Sequence, residues 1–254
     1  MGDFGPPPIM LTDKLTQSDN SKVKFKPNHR NTFGLNFGLP ENGGTCPGAT
    51  QGKGGCLDVR DGRKRPTCYM AKVTQIYKAV GNILQKNTDL LRDKSREDMA
   101  QVLKNTFQDF VDRNEEKYWY YRLTYSGDVF SEDFAYAVVD ACKAFPKVKF
   151  WVYTRSHDYV KILVGAPNLA VYLSVDPINL DTGRKIYNGL REQYNNVGLA
   201  YLGPPVDDGT RYVACPETHG KIQNTDKLGA CAKCKLCFTY NEKTRLRNIT
   251  FKIH

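Results

Sequence analysis

Between Tyr118 and Leu202, apolar runs of strand length alternate with amphipathic runs of helix length, and this alternation constrains the fold more than any other feature of the chain. Strands are expected at Tyr118 to Tyr125, Val148 to Thr154, Leu169 to Val175 and Val197 to Leu202. Between them the pattern places helices opened by Ser131 and Ser156, the second closed by Gly165, and another over Arg184 to Tyr194. An earlier run, Thr32 to Leu39, reads as a strand because Phe33, Leu35 and Phe37 alternate, with Gly34 and Gly38 marking close backbone approach. Strands alternating with helices imply right-handed βαβ units and a parallel sheet. Five such strands predict an α/β protein built as a single, partial β/α barrel.

The remaining segments are placed around that core. Residues 1–31 are polar and Pro-rich, with Pro6, Pro7 and Pro8, and are expected to form an arm with little regular structure. Residues 32–204 are expected to form the barrel core, and 205–254 a Cys-rich segment packed on it, with a turn at Asp207-Asp208-Gly209 and a short strand near Tyr212. Within the core, Met70, Val73, Ile76, Tyr77, Val80, Ile83 and Leu84 recur at helical steps, predicting one helix with an inward apolar face. A second helix starts at Ser95, with Asp98 as capping-box partner. Polar residues gather at strand C-terminal ends: Ser126-Gly127-Asp128, Thr154-Arg155, and Ser174 with Asp176. In β/α barrels that face carries the chemistry, which marks Asp128, Arg155 and Asp176 as candidate catalytic residues.

The eight cysteines fall into groups. Cys231-x2-Cys234-x2-Cys237, with the outlying Cys215-Pro216, has the ligand pattern of a bacterial-type four-iron cluster; structural zinc is the competing reading. Cys46, Cys56 and Cys68 lie in a Gly-rich, basic loop following the first core strand. Three thiolates on a four-iron cluster leave one iron open to a substrate or cofactor, and a zinc completed by a histidine or an acid is again the competitor. Among histidines, His29, His157 and His219 are candidates for that fourth ligand. Cys142 lies on an apolar helix face with Phe134, Val138, Val139 and Phe145, and is read as packing. Reduced thiols in such groups suit a cytosolic protein, and neither a signal peptide nor a membrane-spanning run of roughly eighteen apolar residues is visible. The sequon at Asn248 is therefore not expected to carry sugar.

Lysine and arginine number 37 against 27 acidic residues, a net charge of +10, which points to a polyanionic partner such as a nucleotide or nucleic acid. Arg60, Arg63, Lys64 and Arg65 lie inside the first cysteine loop and are the candidate phosphate contacts. Lys233, Lys235, Lys243, Arg245, Arg247 and Lys252 crowd the second group.

Several motifs in order carry a resemblance. They are Phe37-Gly38-Leu39-Pro40, Thr45-Cys46-Pro47-Gly48, Cys68-Tyr69-Met70-Ala71-Lys72, Ser126-Gly127-Asp128-Val129-Phe130-Ser131, Phe150 to Ser156, Leu173-Ser174-Val175-Asp176 and the closing cysteine run. Together they make the chain resemble the bacteriophage gene-product-eighty-eight family over most of its length. That family is in turn similar to the radical S-adenosylmethionine (SAM) enzymes, which build a partial β/α barrel around a three-cysteine four-iron cluster. The resemblance implies one or two four-iron clusters, with Cys46, Cys56 and Cys68 holding the first. It implies SAM as cofactor, bound by Ser126, Gly127 and Asp128 at its amino group and by Ser174 and Asp176 at its ribose. Radical SAM enzymes use C-x3-C-x2-C, whereas here nine and eleven residues separate the cysteines and a basic insertion spans Asp58 to Pro66. The alternative is a non-catalytic metal-stabilised protein that binds nucleic acid or a host protein.

Overall fold

The computed structural model describes residues 10, 12–50, 56–58, 67–203, 206, 207 and 209–252. Among them the chain runs β1 (Gln17–Asp19), β2 (Arg30–Gly34), α1 (Met70–Ile76), α2 (Lys78–Asp89), α3 (Arg96–Asp112), β3 (Tyr120–Ser126), α4 (Glu132–Ala144) and β4 (Lys149–Thr154). It continues through α5 (Val160–Leu163), β5 (Leu169–Val175), α6 (Leu180–Leu190), β6 (Val197–Leu202), β7 (Tyr212–Ala214), α7 (Ala230–Cys234) and β8 (Asn248–Phe251). The fold is mixed α/β, with a sheet ordered β1-β2-β3-β4-β5-β6-β8-β7. Only β1 against β2 is antiparallel among these pairs.

From β2 to β6 the strands are laid down in one direction. Right-handed crossovers that all step the same way put their helices on the same face. The packing agrees: Phe33, Tyr121, Leu123, Phe150, Val152, Val171 and Leu173 share one core with Leu103, Phe107 and Phe110 of α3 and Phe134 and Val138 of α4. Side chains alternate along a strand, so Trp151, Ala170, Tyr172 and Ala200 face the other way. At β7 and β8 the direction reverses, since the chain passes β6, forms the edge strand β7 and steps back to β8. A right-handed connection made backwards lies on the opposite face. There, Ala232, Phe238 and Leu246 pack on Trp151, Tyr172 and Ile249. The sheet is thus covered by helices on one side and by the cysteine-rich connection on the other, and the middles of β4, β5 and β6 are apolar because both faces are largely buried.

Several expectations are corrected. The arm contributes β1 to the sheet and Val23 and Phe25 to the second core, so its described part is built into the fold. In the segment after 204 the short strand read near Tyr212 is β7, and a second strand, β8, joins the same sheet between it and β6. β2 ends at Gly34, and Leu35 to Thr45 forms a tight loop closed by bonds from the Thr45 N–H to the Asn36 carbonyl and from the Cys46 N–H to the Gly38 carbonyl. Gly38 has φ of 98° there, which a side chain would oppose. The single helix expected over 70–84 breaks at Tyr77, whose φ and ψ of −119° and 86° leave the helical region. Its inward stripe breaks with it: Met70 and Leu84 are buried, but Ile76 and Tyr77 are 57% and 59% exposed. The helix after β4 is a 3-10 turn followed by the single turn α5, and the next helix runs Leu180–Leu190, four residues earlier than its expected start and end. The caps hold, with Ser95 Oγ accepting from the Asp98 N–H and Ser131 Oγ from the Phe134 N–H, both at 3.1 Å. Cys142 is fully buried in the helix-side core.

Candidate metal centre and ligand cavity

The loop after β2 is held at the C-terminal end of the sheet by three residues of the Ser-Gly-Asp motif. Ser126 Oγ donates to the Leu35 carbonyl at 2.8 Å. Gly127 sits at φ 73°, and a Cβ there would lie 2.4 Å from Thr45 Oγ1, so only glycine lets the cysteine loop approach this closely. Asp128 accepts the Val129 N–H at 2.8 Å on one oxygen and the Arg155 N–H at 2.7 Å on the other. The same carboxylate is hydrogen-bonded by the Thr154 hydroxyl. Burial nevertheless pushes the Asp128 carboxyl above the ordinary carboxylate range.

Arg155 carries the tie onward. Its Nη1 donates to Asp176 Oδ2 at 2.8 Å, in an ion pair whose side chains are 16% and 2% exposed. Its Nε and Nη2 reach the Gly48 carbonyl and Thr50 Oγ1 at 3.3 and 3.4 Å. Gly48 lies so close to the end of β4 that a Cβ would meet the Arg155 carbonyl oxygen at 2.0 Å. Asp176 also accepts the Ile178 N–H at 2.9 Å, and the Ser174 carbonyl is hydrogen-bonded by Asn179 at 3.2 Å.

These anchors bring the two cysteine groups to one place. A cavity of about 440 Å³ is lined by Cys46, Cys56 and Cys68 and by Cys215, Cys231 and Cys237, together with Ser126, Gly127, Asp128, Arg155 and Ser174. Asp176 adjoins it through Arg155. The Cys68 N–H donates to the Cys56 carbonyl at 3.0 Å, and Cys46 feels the charges of both. Cys234 lies within the electrostatic reach of Cys231, Cys237 and Cys215. Burial, with the Asp128 carboxylate next in size, raises the Cys46 thiol far above its usual range. Burial also raises Cys68 and Cys237, and pushes Cys231 up to about 11 against the opposing pull of Arg122. Metal-free, these thiols hold their protons at neutral pH, so loading a metal must release them. Among the described residues, no three His, Cys, Asp or Glu side chains converge to hold a single metal ion. Arg60, Arg63, Lys64 and Arg65 lie outside the described residues.

Residues 11–240 match the family described as Gene product 88. The chain belongs to the gene product 88 family. It is similar to the Gene 88 protein of Mycobacterium phage L5, 32% identical over 212 residues, with 79% of this chain and 81% of the relative covered. The Gene 88 protein of Mycobacterium phage D29 is 31% identical over the same length, with the same shares. No solved structure matches the chain. Among the described residues of this gene product 88 family member, no helix is long and apolar enough to cross a membrane.

Sequence reasoning missed what lines the cavity between the cysteines: Arg122 of β3, and Trp151 and Tyr153 of β4. The available signal was the lone arginine in the apolar run Tyr120 to Tyr125, whose neighbours Tyr121 and Leu123 both face the helices. Of the histidines, His29 is buried among Phe25, Phe110 and Tyr118, and His157 bonds the Ser174 carbonyl at 3.1 Å. Neither lines the cavity.

Proposed function

We propose that this chain is an iron–sulfur protein on a partial β/α barrel of radical SAM type. In this reading Cys46, Cys56 and Cys68 hold one four-iron cluster, and Cys215, Cys231, Cys234 and Cys237 hold another. The observation that carries it is that thiols of both groups open on one cavity at the C-terminal end of a singly wound sheet. The donor set fits in its chemistry: all seven are soft thiols, and the C-x2-C-x2-C run with a remote Cys-Pro is a four-iron ligand pattern. A cluster on three thiolates supplies an iron with an open position and an electron for a bound SAM.

The chain's own residues do the rest. Asp128, fully engaged by its donors, and the Arg155–Asp176 pair position the cysteine loop, while Ser126, Gly127 and Ser174 shape the wall. A cavity of about 440 Å³ admits a nucleotide-sized molecule and excludes a duplex. In this reading Arg60, Arg63, Lys64 and Arg65, which lie outside the described residues, are the phosphate contacts of a nucleic acid. The reducing cytoplasm of a host cell is where such thiols would serve.

A second reading, a non-catalytic metal-stabilised binder of nucleic acid or a host protein, is favoured by the structural engagement of Asp128, Arg155 and Asp176. Anaerobic purification separates the two. The first expects a brown protein with matching iron and sulfide, bleached by dithionite, that converts SAM to 5′-deoxyadenosine. A colourless zinc protein that retards DNA or RNA on a gel, and leaves SAM intact, overturns it.

A further inference from the structure

We propose that Arg122 is the anion receptor of the cavity, binding a phosphate or carboxylate on a small molecule that also carries a planar ring. Arg122 stands midway along β3, and because Tyr121 and Leu123 are buried against the helices, it faces the cavity. Its Nε donates to the Thr124 carbonyl at 3.0 Å, which fixes the side chain and leaves the two Nη groups. The Tyr153 ring lies 5.4 Å away beneath the guanidinium and orients its plane.

Of the other charged groups lining the cavity, Lys252 adds a second cation, and the rest are engaged. Lys22 pairs with Glu217 at 2.9 Å and Arg155 with Asp176 at 2.8 Å. Asp128 is taken by backbone donors. Among the described residues no carboxylate pairs with Arg122. A guanidinium half-withdrawn from water and lacking a carboxylate calls for an oxyanion, which its fork binds with two parallel hydrogen bonds. Tyr125 and Tyr153 line the same cavity, with Trp151 packed on Phe238 behind its wall, and its volume falls in the range of small-molecule sites. The rival partner for the charge is a thiolate of the second cysteine group, since Cys231 lies within its field.

The proposal takes the cavity as the ligand site of the proposed function, but it does not require a cluster there. The test is therefore run on the full chain both as purified and after anaerobic loading with iron and sulfide. Adenosine 5′-monophosphate and nicotinate are the probes for phosphate and carboxylate, adenosine and nicotinamide their uncharged counterparts, and isothermal titration calorimetry reports binding. At least one charged probe is expected to bind about tenfold or more tightly than its counterpart. R122M should remove that advantage, a loss of about ten- to a hundredfold, with R122K intermediate. Melting temperature and iron content are followed in each variant. If R122M does not fold, R122K and the wild-type comparison still decide. Anion binding by a protein that takes up no iron on loading supports Arg122 while removing the cluster reading. Wild-type protein that binds neither anion better than its neutral counterpart overturns the proposal. So does an R122M protein that loses iron but keeps its anion affinity, because Arg122 then serves the cluster's charge.

Discussion

Changing Asp176 to asparagine tests the ion pair that fastens the cysteine loop to the strand ends. The pair is buried, with Asp176 2% and Arg155 16% exposed, and its atoms are 2.8 Å apart. Removing the carboxylate's charge strands the guanidinium, whose remaining acceptors at Gly48 and Thr50 lie at 3.3 and 3.4 Å. Breaking a buried pair from one side costs about 3–5 kcal/mol, and the asparagine oxygen, still an acceptor, places this case near about 3 kcal/mol. In a chain of this size each kcal/mol moves the melting temperature by about 2–4 °C, so D176N should melt roughly 6–12 °C lower. Circular dichroism melts of D176N, R155M and the double variant measure it. The double variant should recover part of the loss, because it no longer buries an unmatched charge. A fall of under about 2 °C for D176N, or single effects that add within about 0.5 kcal/mol, would refute the claim that the two side chains act as a unit.

Three further outcomes follow from the same geometry. His29 accepts the Phe25 N–H on Nδ1 and is buried, which lowers its pKa to about 4. Its folded value lies below the unfolded 6.5, so its contribution is complete above pH 6.5 and is lost as pH falls towards 4, by at most about 3 kcal/mol. Urea denaturation from pH 7 to pH 4 should show wild type losing this much more stability than H29Q, and parallel profiles would remove His29 as the cause. G48A puts a Cβ 2.0 Å from the Arg155 carbonyl oxygen, so the cysteine loop must part from β4; metal at Cys46, Cys56 and Cys68 should fall while the sheet's circular dichroism is retained. Among cysteine variants, C68A should lose metal with a small change in melting temperature and C231A should lose metal with a large one. C142A, in the helix-side core, should lose no metal and about 1 kcal/mol of stability; equal iron in C68A and C142A would break the division into ligand and packing cysteines.

β4, β5 and β6 were legible within a residue because strands buried on both faces are largely apolar and are bounded by polar or turn residues. The short strand read near Tyr212 is β7, whereas β1 and β8 were not legible, since strands of three or four residues carry too few side chains to show a period. The break at Tyr77 also left no trace, because the apolar spacing runs through it unchanged. The Ser-Gly-Asp, Thr-Arg and Ser-x-Asp positions were marked correctly as lying at strand ends, but which carboxylates are engaged depends on distances that only the packed chain defines. Arg122 was passed over because a single charge in a strand reads as solvent-facing when the second face is not known to be closed.

The backward step from β7 to β8 also orders events in time. Trp151 and Tyr172 leave the ribosome with one side of their sheet uncovered, and the segment that covers it is synthesised last. From Trp151 to Phe251 at about 5–20 residues per second, a nascent chain shows these rings to the cell for about 5–20 s. The ligands of the second proposed cluster, Cys215, Cys231, Cys234 and Cys237, belong to that last segment, so that cluster can form only after β1 to β6 have been made. A chain cut short before Cys215 would keep the first group's thiols and most of the sheet, yet present a sticky aromatic floor to chaperones.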